Sequence, residues 1–408
     1  MSSTTPRLRT APVLAVLVCH DGDQWLGTAL SALRRQEPRP RHVIAVDTGS
    51  TDRTAKMLAE AADGPDRILD GVLGMPRGAG FAAAVHAAVD HAVQRWGDPG
   101  KWIWLLHDDS APEPDCLSSL LAAAELSPGA AVLGPLSLDW ADPRLVVEAG
   151  VSTDSSGHRQ TGIGPAEPDW SRFGSGGSAR FEQSTEALAV SSAGSLVKRR
   201  VWQDLGGYDK RLPMLRDDLD FGWRANRAGH LVLCVPVARM RHVRAASRGL
   251  RRLDAVAARP GPLLRGVDRG HGLRTFLANT STPSFLLGLP RLAVLQVLRA
   301  LGFVLLRRWT DARGEFGALR YLLSGRAGLL AARQARRGGS GAVRGLVTSR
   351  TTRFRNAVRS ATSYLIRRRV QADVSLGRLP EDEGRPSGWR PPPSGKDTRR
   401  RVVGPDAL

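Results

Sequence analysis

Trp102-Ile103-Trp104-Leu105-Leu106-His107-Asp108-Asp109-Ser110 is an apolar run that stops abruptly on polar residues. Five consecutive apolar residues with polar flanks read as a strand buried on both faces, as the central strand of a parallel sheet is. The carboxylates then stand at the carboxyl edge of that sheet, where open α/β folds bind their ligands. Two adjacent acids at such an edge suit a hard divalent cation that must hold a diphosphate. Taken alone, the segment reads equally well as a strand followed by a solvated turn, which Ser110-Ala111-Pro112 favours.

Upstream and downstream, short apolar runs alternate with helical stretches from residue 12 to about 245, the signature of βαβ units. Val13 to Cys19 is a first strand, followed by a helix over Trp25 to Arg35. Val43 to Val46 is a second strand, cut off by Asp47-Thr48-Gly49-Ser50-Thr51-Asp52, with Ser50 or Thr51 placed to cap the next helix. Ala79 to Trp96 and Asp115 to Leu126 are further helices. Ser152 to Ser178 is a long Gly/Ser-rich loop, and inside an α/β domain such loops are more often functional than idle. A helix over Asp217 to His230 precedes a last apolar strand, Leu231 to Val237, that ends near Pro236.

Composition divides the 408 residues into two halves. Residues 239–408 carry 35 Lys+Arg against 10 Asp+Glu, which leaves 24 against 29 for the remainder. A basic half of this kind binds nucleic acid or an anionic membrane surface. Few aromatics interleave the basic residues and no nucleic-acid motif occurs, so the membrane surface is the expected partner and nucleic acid is not. Arginine outnumbers lysine 54 to 5, which makes coding bias one source of the charge. Pro283 to Leu306 is mostly apolar but holds Pro290, Arg291 and Arg299, which reads as an interfacial amphipathic helix rather than a span. The apolar run at Val13 is too short for a secretory signal. Cys19, Cys116 and Cys234 form no CxxC pair, and buried thiols in a reducing compartment are expected. The expected divisions are 1–245, a basic helical membrane-associating region over 246–370, and a disordered tail over 371–408.

Four segments could carry chemistry: Asp47 with Asp52, Asp108 with Asp109, Asp217-Asp218 with Asp220, and His242 after the last strand. Strand ends of a doubly wound sheet converge, so these residues are expected in one crevice. In their order along the chain, Leu17-Val18-Cys19-His20-Asp21-Gly22, Val46 to Thr54, His107-Asp108-Asp109 and Gly206-Gly207-Tyr208-Asp209 with Asp217-Asp218-Leu219-Asp220 resemble a family 2 glycosyltransferase of the GT-A fold. The resemblance covers roughly 230 residues, Val13 to His242.

That resemblance implies an α/β fold, the Rossmann-like, mainly parallel GT-A nucleotide-diphospho-sugar transferase sheet, with a basic, mostly helical C-terminal extension. It implies an inverting, metal-dependent transfer from a UDP or dTDP donor to a hydroxyl of a lipid-linked glycan or cell-wall polysaccharide. Asp47 then accepts a hydrogen bond from the donor's pyrimidine, and Asp108 meets a ribose hydroxyl or the metal. Asp109 holds Mn²⁺ or Mg²⁺ with His242 and His107, the last standing where the family's metal motif begins with an acid. Ser192 and Gly194 belong to a small-residue loop that lets donor sugar and acceptor approach, and Asp218 is the catalytic base. Asp52 braces a helix start, and Trp202, Phe221 and Trp223 are core. The acceptors implied are those of cell-envelope rhamnosyl- and galactofuranosyltransferases, and the location is the cytoplasmic face of the membrane. Processive synthases of the same family are disfavoured, because Leu305-Leu306-Arg307-Arg308-Trp309 lacks the glutamine of their QxxRW segment and multiple spans are missing. The competing class is an inactive sugar-nucleotide-binding protein of the same fold, motivated by His107.

Overall fold

The structure, a computed structural model, describes residues 10–161, 167–168, 184–256, 262–336, 343 and 345–347. The expected tail over 371–408 lies outside them, as does most of the loop read over 152–178.

The chain begins β1 (Thr10–Cys19), α1 (Asp23–Arg34), β2 (Arg39–Asp47), α2 (Thr54–Ala62), β3 (Gly71–Gly74), α3 (Phe81–Trp96), β4 (Trp102–His107) and β5 (Ser110–Pro112). It continues through α4 (Cys116–Leu126), β6 (Ala130–Asp139), β7 (Leu145–Glu148), β8 (Ser152–Thr153), β9 (Arg159–Gln160), β10 (Glu167–Pro168), β11 (Thr185–Glu186) and β12 (Leu196–Lys198). Then come α5 (Arg199–Asp204), α6 (Asp217–Arg227), β13 (Leu231–His242), α7 (Ala245–Arg248), a 3₁₀ turn (Asp254–Val256), α8 (Pro262–Asn279), α9 (Thr282–Leu305), α10 (Trp309–Ser324) and α11 (Arg326–Ala335).

The main sheet runs β10-β7-β6-β12-β4-β1-β2-β3, with β13 pairing parallel to β6. Its heart, β4-β1-β2-β3, is parallel, while β12 is antiparallel to both β4 and β6. The strand read from Trp102 is buried on both faces as expected. Trp102, Trp104 and Leu106 pack into one apolar layer with α1, α2 and α4, and Ile103 and Leu105 into the other with α3 and α6. Period-two alternation between two cores is what makes the run continuously apolar.

Two local expectations are corrected. β13 does not stop at Pro236; its pairing with β6 is irregular between Val235 and Arg239 and then resumes to His242. A proline cannot donate to a ladder, and a bulge is where one is tolerated inside a strand. His242 is therefore the last residue of the strand rather than a residue beyond it. Neither Ser50 nor Thr51 caps α2: the Ser50 hydroxyl donates to Asp47 (2.6 Å), and Asp52 accepts from the Thr54 and Asp23 amides at 2.9 and 3.0 Å. Asp52 braces the helix start, as read. All three cysteines are buried free thiols, and Trp202, Phe221 and Trp223 are core.

The C-terminal helices pack on the α/β layer through α6 and α8. Leu273, Phe276 and Leu277 of α8 meet Leu219 and Trp223 of α6. Among the described residues, α9 is the helix long and apolar enough to cross a membrane. Its buried stripe is Gly288, Leu292, Gln296 and Ala300, whereas Leu286, Leu287, Leu298, Leu301 and Leu305 are exposed. Arg291 and Arg299 turn toward the protein, donating to the Ser155 carbonyl and pairing with Glu315.

Candidate active site

β4 and β1 run parallel with His107 opposite Val18, so the acids after β4 emerge beside the turn after β1. There the His20 amide donates to Asp108 Oδ2 at 2.8 Å. Gly22 makes this approach possible, since a Cβ on it would stand 2.1 Å from that oxygen. Asp108 is fully buried and its Oδ1 receives Arg251 Nη2 at 2.7 Å. Burial pushes its carboxyl up to about 6 despite Arg251.

The antiparallel register of β5 with β13 sets His242 opposite Ser110, one residue past Asp109. Asp109 Oδ1 lies 3.3 Å from His242 Nε2 and 3.8 Å from His107 Nδ1, and Oδ2 accepts the Ala245 amide at 2.8 Å. One ligand atom from each of His107, Asp109 and His242 lies within 4.8 Å of the others. Burial, then the neighbouring His242, push the His107 imidazole down to about 3, so it is a neutral donor at physiological pH. Burial alone would raise the Asp109 carboxyl, but the adjacent His242 outweighs it and holds Asp109 well below the carboxylate range. A neutral His107 imidazole and an ionised Asp109 carboxylate are protonation states that a divalent cation requires.

These groups line a cavity of about 410 Å³ whose far wall is the start of α6. Leu215 and Arg216 both hold left-handed backbone (φ 67° and 72°) before Asp217 opens the helix. Non-glycine residues in that region are uncommon, and clustering of such strain at functional sites is general. Asp217 and Asp218 are both nearly buried and both face the cavity. Asp218 is gripped by Arg159, with Nη1 and Nη2 at 2.9 and 2.8 Å from its two oxygens, and Arg159 also reaches Glu148 at 3.2 Å. Burial and the Asp218 charge push the Asp217 carboxyl up to about 7.

Of the residues read from the sequence, His107, Asp108, Asp109, Ser192, Asp218 and His242 meet at this cavity. Ser192 Oγ is 3.1 Å from His107 Nε2. Asp47, Asp52, Gly194 and Asp220 are not among its lining residues. Asp47 is occupied with Ser50, while Thr48 beside it reaches the cavity wall. Gly194 (φ 83°) turns the chain into β12, where a Cβ would stand 2.7 Å from Pro135 and 2.9 Å from the Met240 sulfur. Asp220 points the other way, toward Arg224, Asn279 and Arg336.

Sequence reasoning missed Glu148, Arg159, Arg77, Arg251 and Asp254. Arg77 bonds Asp21 and pairs with Asp254 at 2.9 Å, and Asp254 meets His20 Nε2 at 3.1 Å. Residues 246–256 therefore help to wall the cavity, beyond the division drawn at 245. No periodicity marks these positions; the only signal was His20-Asp21-Gly22, quoted for its order along the chain.

A GT-A-type sheet with groups that could hold a cation at the ends of its strands, and paired acids across a shared cavity, fits the fold of a nucleotide-diphospho-sugar transferase. Residues 11–259 match the model of the family described as "Glycosyltransferase like family 2", and the chain belongs to that family and is a glycosyltransferase. It is 29% identical over 246 residues to an N-acetylglucosaminyl-diphospho-decaprenol L-rhamnosyltransferase of Mycobacterium tuberculosis, covering 58% of this chain and 77% of that protein. It is 30% identical over 135 residues to galactofuranosyltransferase GlfT1 of Mycolicibacterium smegmatis, covering 33% of this chain and 42% of that one. Among solved structures, GalNAc-T7 with UDP, GalNAc and Mn²⁺ is similar at 17% identity and a TM-score of 0.43, over 58% of this chain and 44% of that chain.

Proposed function

We propose that this glycosyltransferase acts by an inverting, metal-dependent single displacement. The donor is a UDP- or dTDP-sugar, and the acceptor is a hydroxyl of a lipid-linked glycan or cell-wall polysaccharide. The observation that carries this reading is that the ligand atoms of His107, Asp109 and His242 lie within 4.8 Å of one another, in the cavity that also holds Asp217 and Asp218. Asp109 with His242 and His107 would hold the cation, and a donor set with two imidazoles suits Mn²⁺ better than Mg²⁺. When bound, a divalent cation neutralises the charge that develops on the leaving diphosphate.

The protein's own groups do the rest. Were His107 to hold the cation through Nδ1, its Nε2–H would be left to donate to Ser192, a contact that fixes ring orientation. Asp218 accepts the proton of the attacking hydroxyl. To do so it must part from Arg159, which keeps Glu148 as a second carboxylate partner. Asp217 keeps a proton near neutrality and so limits the negative charge beside the base. Asp108 and the neighbouring Thr48 and His20 wall the donor's nucleoside side, with Asp47 at the strand end behind them.

Similarity to a rhamnosyltransferase and a galactofuranosyltransferase supports a deoxyhexose or furanose donor and a polyprenyl-diphosphate-linked acceptor. The exposed apolar face of α9, with Arg307 and Arg308 just beyond its end, supports seating on the cytoplasmic membrane face rather than crossing it. Gln296 and Arg299 bond Glu315 on the helix's opposite side, which a span would have to bury in lipid.

The test uses the full chain with Mn²⁺ and a panel of UDP- and dTDP-sugars. Turnover of one donor that disappears in Asp109→Ala and with EDTA supports the reading. Turnover untouched by either, or donor binding without turnover across the panel, overturns it.

A further inference from the structure

A second cavity, about 370 Å³, opens where α8, α9 and α10 meet the loop before α6. At its wall α8 and α10 cross almost in backbone contact, where a Cβ on Gly266 would lie 2.5 Å from Gly314 Cα. Five arginines line it, Arg216, Arg265, Arg269, Arg299 and Arg308, against three carboxylates, Asp268, Asp311 and Glu315. Arg216 takes Asp268 with both nitrogens at 2.6 Å, and Arg299 takes Glu315 at 2.9 Å. Arg265 and Arg308 must share Asp311, at 2.8 and 2.9 Å. Arg269, buried, pairs with no carboxylate among the described residues and bonds Gln296 Oε1 at 3.1 Å, the Ser156 carbonyl and His158 Nε2 at 3.3 Å. Burial and nearby Arg299 push its guanidinium down to about 10, so it is cationic at neutral pH. Its lining thus holds five arginines against three carboxylates, with Arg265 and Arg308 exposed at its rim and sharing the single carboxylate of Asp311.

Its position says which anion. Arg216, Arg265 and Asp268 line both this cavity and the one that contains Asp217 and Asp218. Phe303 also lines it, with Arg308 over the Phe303 ring at 5.0 Å and Leu306, three residues on, exposed. The cationic cavity therefore shares a wall with the reaction cavity and has an apolar residue, Phe303, in its own lining. A molecule built as sugar, anionic linker and aliphatic chain matches that combination. Arginine forks suit phosphoryl oxygens because they bind them bidentately.

We propose that this cavity is the subsite for the diphosphate linker of a lipid-linked acceptor, held by Arg265, Arg269, Arg299 and Arg308. The inference rests on the acceptor class of the preceding section and adds the residues that select it. A phospholipid headgroup offers the same phosphoryl chemistry but carries no sugar into the adjoining cavity.

The test titrates the full chain in EDTA with geranyl diphosphate, by calorimetry, against Arg299→Gln/Arg308→Gln. Binding should weaken at least about tenfold in the variant. Saturating UDP should leave it unchanged, as should phosphatidylglycerol vesicles at equal phosphate, and the variant should keep wild-type donor hydrolysis with Mn²⁺. Equal binding by the variant, displacement by UDP or displacement by the vesicles would each overturn the proposal. Should the double variant lose donor hydrolysis through misfolding, Arg308→Glu, on an exposed side chain, must show the same loss of geranyl diphosphate binding. Failure of every donor to turn over would overturn the transferase mechanism instead, leaving diphosphate binding as the separate readout.

Discussion

Replacing Asp220 by asparagine removes one charge from the joint that ties the site helix α6 to the C-terminal helices. Asp220 is fully buried; Oδ2 meets Arg224 Nε at 2.8 Å, and Oδ1 accepts Arg336 Nη2 and Asn279 Nδ2 at 2.6 and 2.8 Å. Burial would raise its carboxyl, but Arg336 and Arg224 outweigh burial and bring it down to about 2. An unfolded aspartate titrates near about 3.9, so the depressed value corresponds to roughly 2–3 kcal/mol of stability at pH 7. Because the folded value is the lower one, that stability is fully present above about pH 4 and fades as pH falls, with about half left at pH 3. Asparagine also leaves Arg336, nearly buried, with Asp209 at 3.3 Å as its remaining carboxylate, which moves the cost toward about 3–5 kcal/mol. Urea unfolding followed by tryptophan fluorescence should show Asp220→Asn less stable by about 2–5 kcal/mol at pH 7, with the gap narrowing from pH 4 to 3. Equal stability at pH 7, or a gap that widens on acidification, would refute the reasoning.

Other perturbations separate the site's parts. Gly22→Ala should raise the donor KM at least about tenfold with the circular dichroism spectrum unchanged, because its Cβ must displace the fully buried Asp108 carboxylate; an unaltered KM would count against Asp108 as a donor contact. Arg159→Met leaves Glu148 and Asp218 facing each other without their shared cation, and urea titration should register a loss of about 3–5 kcal/mol. Leu298→Glu with Leu301→Glu, both on exposed side chains of α9, should cut co-sedimentation with phosphatidylglycerol vesicles by at least about tenfold while donor hydrolysis persists. Wild-type sedimentation of that variant would remove α9 from the membrane contact.

The strand from Trp102 was legible because two separate apolar layers impose one unbroken run on it, and the acids at its end inherit their place from the sheet. His242 was legible as a neighbour of the other strand-end groups but not as part of a strand. Pro236 looks like a stop, whereas the sheet absorbs it in the irregular pairing between Val235 and Arg239. Asp220 was grouped with the site acids although helical geometry already separates it: two residues of helix rotate it to the far side from Asp218. Glu148 and Arg159 left no local trace, since they meet Asp218 only through the packing of β7 and β9 against α6. Arg251 and Asp254 were likewise unreadable, because an irregular segment has no period to betray which side chains turn inward.

The central claim is that Asp218 takes the proton from the acceptor hydroxyl at a cation-assisted donor site. Its direct test is single-turnover transfer by Asp218→Asn, with donor affinity measured on the same preparation. Donor affinity should stay near wild type while transfer slows by about 10²–10⁴-fold. Transfer at the wild-type rate in Asp218→Asn, together with its loss in Asp217→Asn, would rule out Asp218 and move the base to Asp217.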